Sequence, residues 1–475
     1  MFRTFARLLL IAALPVCVKA QTGAPQQAPL TPNQQLARDI FKELIEINTT
    51  DSPAGNVTTA AEAMATRFRA AGFSNDDIHL AGPQPNKHNL VVRFRGRTTS
   101  KKPVLLLGHL DVVQALKQDW SNNLDPFKLN EIDGFFYGRG TSDIKQGDTE
   151  LIANLIRLKN EGWTPSRDFI LALTADEESG DSNGVQWLLK EHREWIDAEY
   201  SINTDAGDFE MQKGKRLLLG VETGEKNYVD FTLEVKSSGG HSSRPIKDNA
   251  IYRLAAGLER LAQFDFPTQL NETTRSFFGQ TAKLQDANVA ADFTAVAQPS
   301  PDPAAVARLS QSPYYNALLR TTCVATLLQG GHAPNALPQT ARANVNCRML
   351  PTDSIANVQA TLKKVVADDR INVAVANESG AAQGSPINPA ITHLLENLSS
   401  KLYAGIPVVP IMDTGASDGK FLRMAGIPTY GVPGIFADID DVRAHGRDER
   451  IGVKEFYDGV DFYYLFLKNL GEARD

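Results

Sequence analysis

Four separated segments of the chain carry side chains able to hold a divalent cation or move a proton. They are Gly108-His109-Leu110-Asp111, the Asp143 that ends Gly138-Arg139-Gly140-Thr141-Ser142-Asp143, Asp176-Glu177-Glu178-Ser179-Gly180, and Asp205-Ala206-Gly207-Asp208. Taken singly, each has a plainer reading. A lone histidine is commonly a hydrogen-bonded core residue, an acidic triplet is commonly a solvated turn, and Asp143 or Asp205 could cap a helix. Brought together, the carboxylates would repel one another unless a multivalent cation sat among them. Such a cation lowers the pKa of bound water towards ~7, which is the chemistry of metal-assisted hydrolysis.

Whether these groups meet depends on the elements that carry them. The all-apolar run 104–107 suits a central parallel strand and leads into His109, and 169–174 leads in the same way into the acidic triplet. Residues 201–204 lead into Asp205, and a helical pattern at 149–158 separates the first two runs. Strand, crossover helix and strand in turn predict an α/β domain with a mainly parallel, helix-flanked sheet, whose ligands gather at the carboxyl ends of its strands. Helices are predicted ahead of it from Pro32, on the stripe Leu36, Ile40, Phe41, Leu44 and Ile45, and at 57–71. From Asn227 the texture changes. Strand 229–235, helix 250–261, strands 322–328 and 341–347, helix 355–366 and strand 372–375 give a β-α-β-β-α-β order, predicting an inserted two-layer α+β (ferredoxin-like) domain. The α/β pattern resumes with helix 390–402, strand 408–412 and helix 456–470.

The 475 residues allow two or three domains, and 42% hydrophobic with 22% charged residues is a globular composition. A net charge of −7 disfavours a uniformly basic nucleic-acid binder, so no nucleic-acid partner is expected. Residues 1–20 follow the grammar of a secretory signal: Arg3 and Arg7, an apolar run at 8–16, then small residues at Val18 and Ala20. That run is too short to cross a ~30 Å hydrocarbon core, so the expectation is an exported chain, periplasmic or secreted, with no stable membrane span. Cleavage would remove Arg3, Arg7 and Lys19, taking the charge to −10, and would leave only Cys323 and Cys347. If the runs around the Gly330-Gly331-His332-Ala333-Pro334-Asn335 turn pair as a hairpin, those cysteines lie opposite one another; two reduced, buried thiols are the alternative. Residues 21–32 read as a flexible lead-in.

The motifs Gly-His-Leu-Asp-Val-Val, Gly-Arg-Gly-Thr-Ser-Asp-Ile-Lys-Gln-Gly, Asp-Glu-Glu-Ser-Gly, Gly-Gly-His-Ser-Ser-Arg-Pro and Ala-His-Gly-Arg-Asp-Glu-Arg resemble those of the co-catalytic zinc hydrolases. That family includes aminoacylases, glutamate carboxypeptidase, carboxypeptidase S and succinyl-diaminopimelate desuccinylase. The resemblance runs from about Gln35 to the C-terminus. Arg320-Thr321-Thr322, Gly330-Gly331 and Asn335-Ala-Leu-Pro338 look nearest to the carboxypeptidase S and N-fatty-acyl-amino-acid hydrolase branch.

The resemblance implies two divalent metal ions, zinc first with cobalt or manganese as alternatives. Asp143 would bridge them, His109 and Asp205 would complete one site, and Glu178 and His445 the other. Asp111 matches the carboxylate that fixes the His109 tautomer, and Glu177 the general base for a metal-bridged hydroxide. His241 matches an oxyanion-stabilising histidine, often delivered across a dimer interface. Asn335 and Arg348 match positions holding the substrate's carbonyl and carboxylate, and Gly415 and Ser417 lie in a loop lining the substrate side. The implied division is a catalytic domain over 33–224 and 381–475, with a lid and dimerisation domain inserted at 225–380. The implied substrate is a small peptide or an N-acyl amino acid. The Ala/Asp/Pro-rich connection 265–320 departs from the pattern and reads as a lid or partner contact.

Two other readings compete. Gly415-Ala416-Ser417-Asp418-Gly419 matches the G-x-S-x-G elbow of serine hydrolases, with His445 and Asp438 or Asp440 to follow. The other is a non-catalytic binding protein on the same scaffold.

Overall fold

The computed structural model describes residues 29–98, 100–376 and 380–472. The expected signal at 1–20 and most of the lead-in lie outside them. The first described helix, Pro32–Glu46, starts on a Thr31 cap that exchanges hydrogen bonds with Gln34 and has proline in its first turn.

A ten-stranded sheet forms the main body. At its centre Val104–His109 runs parallel to Phe169–Thr174 on one side and to Tyr200–Asn203 on the other, and Thr429–Gly431 continues the parallel set. Ile78–Ala81 and Asn89–Phe94 extend one edge in antiparallel fashion. On the other side Lys215–Glu225 pairs antiparallel with Asp208–Gln212 and parallel with Val408–Asp413. Successive residues of Val104–His109 serve opposite faces. Val104 and Leu106 pack with Phe41, Leu151 and Phe456, whereas Leu105 and Leu107 pack with Val185, Leu188 and Leu422. Both faces are therefore covered by helices, which is why this strand reads as an unbroken apolar run. The helix predicted at 149–158 begins earlier, as Lys145–Asn160, directly behind Asp143.

The second sheet has the strand order Thr322–Gly330, Thr340–Met349, Asn227–Lys236, Ile371–Val375, all antiparallel. Helices Ala250–Ala262 and Ile355–Val366 cover one face, with Phe231, Val345, Leu254 and Leu362 between the layers. Cys323 pairs with Cys347 across the first two strands, and the two form a disulfide.

The 265–320 connection is not an extended loop. It forms the helices Glu272–Thr281, Ala287–Val296, Pro303–Leu309 and Pro313–Leu319. Phe278, Phe293 and Leu319 share a core with Val409, Ile411 and Met412 of the large sheet, so this segment buttresses the strand that leads to Gly415. Short helices whose stripes are broken by Pro and Asp give little periodicity to read from sequence.

Candidate metal centre

Parallel pairing brings three of the chemical segments together. His109 lies opposite Thr174 and Leu107 opposite Asn203, so the chain leaves all three strands at one edge. Gly108 sits where a Cβ would fall 2.2 Å from Asp148 Oδ1, so only glycine lets His109 reach this position over the buried helix. Asp143 arrives from the loop opening helix Lys145–Asn160, and His445 from the loop before Arg450–Gly452.

The donors form two groups that share one residue. His109, Asp143 and Asp205 make the first; Asp143, Glu178 and His445 make the second; the donor atoms within each lie within 4.8 Å of one another. His109 Nε2 is 3.4 Å from Asp143 Oδ1 and 3.5 Å from Asp205 Oδ1. His445 Nε2 is 2.9 Å from Asp143 Oδ2 and 3.0 Å from Glu178 Oε2. Asp143 thus turns one oxygen towards each histidine.

The electrostatics are those of a site built for cations. Burial, with the Asp143 charge adding to it, pushes Glu178 up to about 7. Burial likewise pushes Asp205 up to about 6, against the pull of His109. Burial also opposes charge on Asp143, yet hydrogen bonds with His109 and His445 hold it well below the usual carboxylate range. His445 is raised to about 9, first by its bond to Asp143. Imidazole and carboxylate donors around crowded acids fit a pair of divalent ions of the zinc, cobalt or manganese type.

Asp111 holds the arrangement from behind. Its Oδ1 accepts the Glu177 N–H at 3.1 Å, its Oδ2 accepts the Glu178 N–H at 3.0 Å, and Oδ1 lies 3.7 Å from His109 Nδ1. The His109 ring nitrogen meets the Asp111 carbonyl at 3.0 Å, so the backbone as well as the carboxylate of Asp111 faces the imidazole. Burial, followed by Asp205, pushes the Glu177 carboxyl well above its ordinary range. Two supports were not legible in the sequence. Asp418 accepts from Thr174 Oγ1 at 2.9 Å and Asn183 Nδ2 at 2.5 Å, and Lys87 Nζ lies 2.5 Å from Asp176. A lone lysine 89 residues from its partner leaves no local pattern.

Other predicted residues sit apart from the two donor groups. His241 and Asn335 are exposed on the inserted unit, where His241 pairs in register with Ala336 and its Nδ1 meets Ser243. Among the described residues neither touches a metal donor. Arg348 lies on Thr340–Met349 with its guanidinium 4.7 Å over the Tyr228 ring. Gly415 N donates to Asp413 at 2.8 Å. Ser417 Oγ donates to buried Glu225 at 2.9 Å, and Asp438 and Asp440 accept from Lys213 N and Gln212 Nε2. His445 faces Asp143 and Glu178 instead, so the serine-elbow constellation does not assemble. A cavity of about 630 Å³ opens beside Asp143 and Asp205 and extends past Asp413 to Phe209 and Phe436.

The family model of Peptidase family M20/M25/M40 matches residues 105–469. A probable carboxypeptidase S-like 2 of Dictyostelium discoideum is 29% identical over 450 residues, 86% of this chain and 84% of that protein. The N-fatty-acyl-amino acid synthase/hydrolase PM20D1 of Bos taurus is 30% identical over 404 residues, 79% of this chain and 76% of that protein. Among solved structures, the M20 family metallo-carboxypeptidase Sso-CP2 of Sulfolobus solfataricus aligns with a TM-score of 0.67 at 17% identity, covering 92% of this chain and 99% of that one. Human carnosine dipeptidase 1 aligns at 0.63 and 16% identity, covering 93% and 97%. These structures share the fold. With the family match spanning most of its length, the chain belongs to Peptidase family M20/M25/M40 and is a metal-dependent hydrolase of that family.

Proposed function

We propose that this chain is an exported di-metal hydrolase of linear amides whose leaving side bears a free carboxylate. Its substrate is a peptide C-terminus or an N-acyl amino acid. The observation that carries the reading is the pair of donor groups joined at Asp143. His109, Asp143 and Asp205 would hold one divalent cation, and Asp143, Glu178 and His445 the other, with zinc favoured. Bound there, the cations would acidify water and polarise the scissile carbonyl.

Glu177, beside the donors but in neither group, takes the proton of the attacking water and passes it to the leaving nitrogen. The Asp111 backbone carbonyl, 3.0 Å from His109 Nδ1, keeps that ring in one tautomer, with the Asp111 carboxylate behind it. Arg348 suits a carboxylate through bidentate pairing, and stacking on Tyr228 pre-orients it. Gly415 and Ser417 line the substrate side, their loop tied to Asp413 and Glu225.

His241 acts from a second copy of the chain on the oxyanion, and Asn335 holds the substrate's carbonyl. Exposed Val324, Leu327 and Leu328 on the edge strand Thr322–Gly330 support a homodimer through the inserted unit, since such edges are normally charged or covered. The Cys323–Cys347 disulfide supports export, because such bonds persist in oxidising compartments. The names of the relatives bring both peptides and N-acyl amino acids into scope.

The test is a panel of dipeptides and N-acyl amino acids, with matched amides lacking the free carboxylate, assayed before and after chelation. Turnover that is lost to the chelator, returns with Zn²⁺ or Co²⁺ and requires the carboxylate supports the reading. Turnover that survives chelation, or covalent capture of Ser417 by a fluorophosphonate, overturns it.

A further inference from the structure

Two of the motifs contribute a residue that the proposed chemistry does not use. These are Arg139 in Gly-Arg-Gly-Thr-Ser-Asp and Glu449 in Ala-His-Gly-Arg-Asp-Glu-Arg. They lie 310 residues apart in sequence and meet as an ion pair, Arg139 Nη1 to Glu449 Oε2 at 2.5 Å, with side chains 3% and 0% exposed. The pair does not stand alone. Each partner reaches into a different loop of the metal centre.

Glu449 serves the loop that carries Asp143. Its Oε2 also accepts the Gly140 N–H at 3.2 Å, and its Oε1 accepts the Ser142 N–H at 2.7 Å, the Ser142 hydroxyl at 3.1 Å and the Asp143 N–H at 3.2 Å. Arg139 serves the loop that carries His445. Its Nη2 donates to the His445 carbonyl at 3.3 Å and to the Gly446 carbonyl at 2.9 Å. His445 has φ 62, a left-handed conformation that a non-glycine residue keeps only when its surroundings impose it. The guanidinium on its carbonyl is such a constraint. His109 and Asp205, by contrast, are placed by strand ends and have no bond to either member of the pair.

We propose that the Arg139–Glu449 pair is a positioning element for the second donor group, Asp143–Glu178–His445. By clamping two loops to one buried charge pair, it sets the distance from His445 to the bridging carboxylate. The first group depends on it only through Asp143. This proposal rests on the metal-centre reading above. A pair that merely stabilised the fold would shift both groups alike or neither, which separates the two roles.

The experiment is calorimetric titration of zinc into metal-free protein, comparing the full chain with Arg139→Lys, Glu449→Gln and His445→Ala. Circular dichroism and thermal unfolding of the metal-free forms check that each variant is folded. His445→Ala identifies which of two binding steps belongs to the second group. Arg139→Lys keeps the buried charge but loses the second guanidinium nitrogen, so it decides the matter even where Glu449→Gln fails to fold.

The expected result is a 10–100-fold weaker affinity in the His445-dependent step, the usual range for residues behind metal ligands. In Arg139→Lys the other step changes less, because neither His109 nor Asp205 bonds to Arg139, whereas Glu449→Gln also frees the loop of the shared Asp143 and weakens both steps. A folded Arg139→Lys protein with both steps unchanged, or both weakened equally, overturns the proposal. A wild-type chain that takes up no zinc overturns the metal-centre reading itself, a result distinct from either of those.

Discussion

Replacing Glu177 with glutamine keeps the side chain's shape and removes its capacity to accept a proton. Glu177 belongs to neither donor group, whereas its neighbour Glu178 does. The turn that carries both is held by backbone N–H groups donating to Asp111, which the substitution does not touch. Metal content should therefore stay at the wild-type value. General-base assistance is worth about 10²–10⁴ in rate, or about 2.7–5.4 kcal/mol of transition-state stabilisation. Burial, followed by the Asp205 charge, lifts the Glu177 carboxyl above its ordinary range. The assay is steady-state turnover of an N-acyl amino acid by metal-saturated protein, with metal per chain measured on the same sample. The expected outcome is kcat lower by about 10²–10⁴ with KM within a few fold and metal unchanged. A folded, fully loaded Glu177→Gln protein turning over at the wild-type rate refutes the assignment. A loss of rate that tracks a loss of metal refutes it differently, by making Glu177 a ligand.

Three further outcomes are expected. Burial depresses Lys226 to about 7, whereas an unfolded lysine titrates near its ordinary value of 10.5. The folded chain then binds fewer protons at this group across that window, so the Lys226 contribution to stability rises with pH from about 7 to about 10, opposite in sign to that of His445. In Lys226→Met that slope should fall by up to one proton, read by urea unfolding at several pH values; an unaltered slope removes Lys226 from the account. The disulfide closes a separation of 24 residues, so chain entropy gives about 3.5 kcal/mol of stabilisation. The double serine variant of Cys323 and Cys347 should lose about that much in denaturant unfolding, and an unshifted midpoint would contradict it. Charged residues at Leu327 and Leu328 on the exposed edge strand should turn a dimer into monomers by light scattering. A wild-type chain that is already monomeric removes the second-copy role of His241.

Sequence alone determined the parts of this protein in which chemistry and periodicity are local. An unbroken apolar run such as 104–107 suits a strand buried on both faces, so the strand ends bearing His109, Glu178 and Asp205 were legible from the chain itself. The β-α-β-β-α-β order of the inserted unit was legible for the same reason, as was the opposition of Cys323 and Cys347 once a hairpin was assumed. Tertiary structure decided what depends on contacts between distant segments. It packed the 265–320 helices against Val409 and Ile411, gave Ser417 to Glu225 instead of to a histidine, and joined Arg139 to Glu449 across two loops. The Arg139–Glu449 pairing follows from burial, because a desolvated charge is costly unless an opposite charge meets it; the apolar packing and the Ser417 hydroxyl bond follow from the same removal from water. No spacing along the chain records which partner that will be.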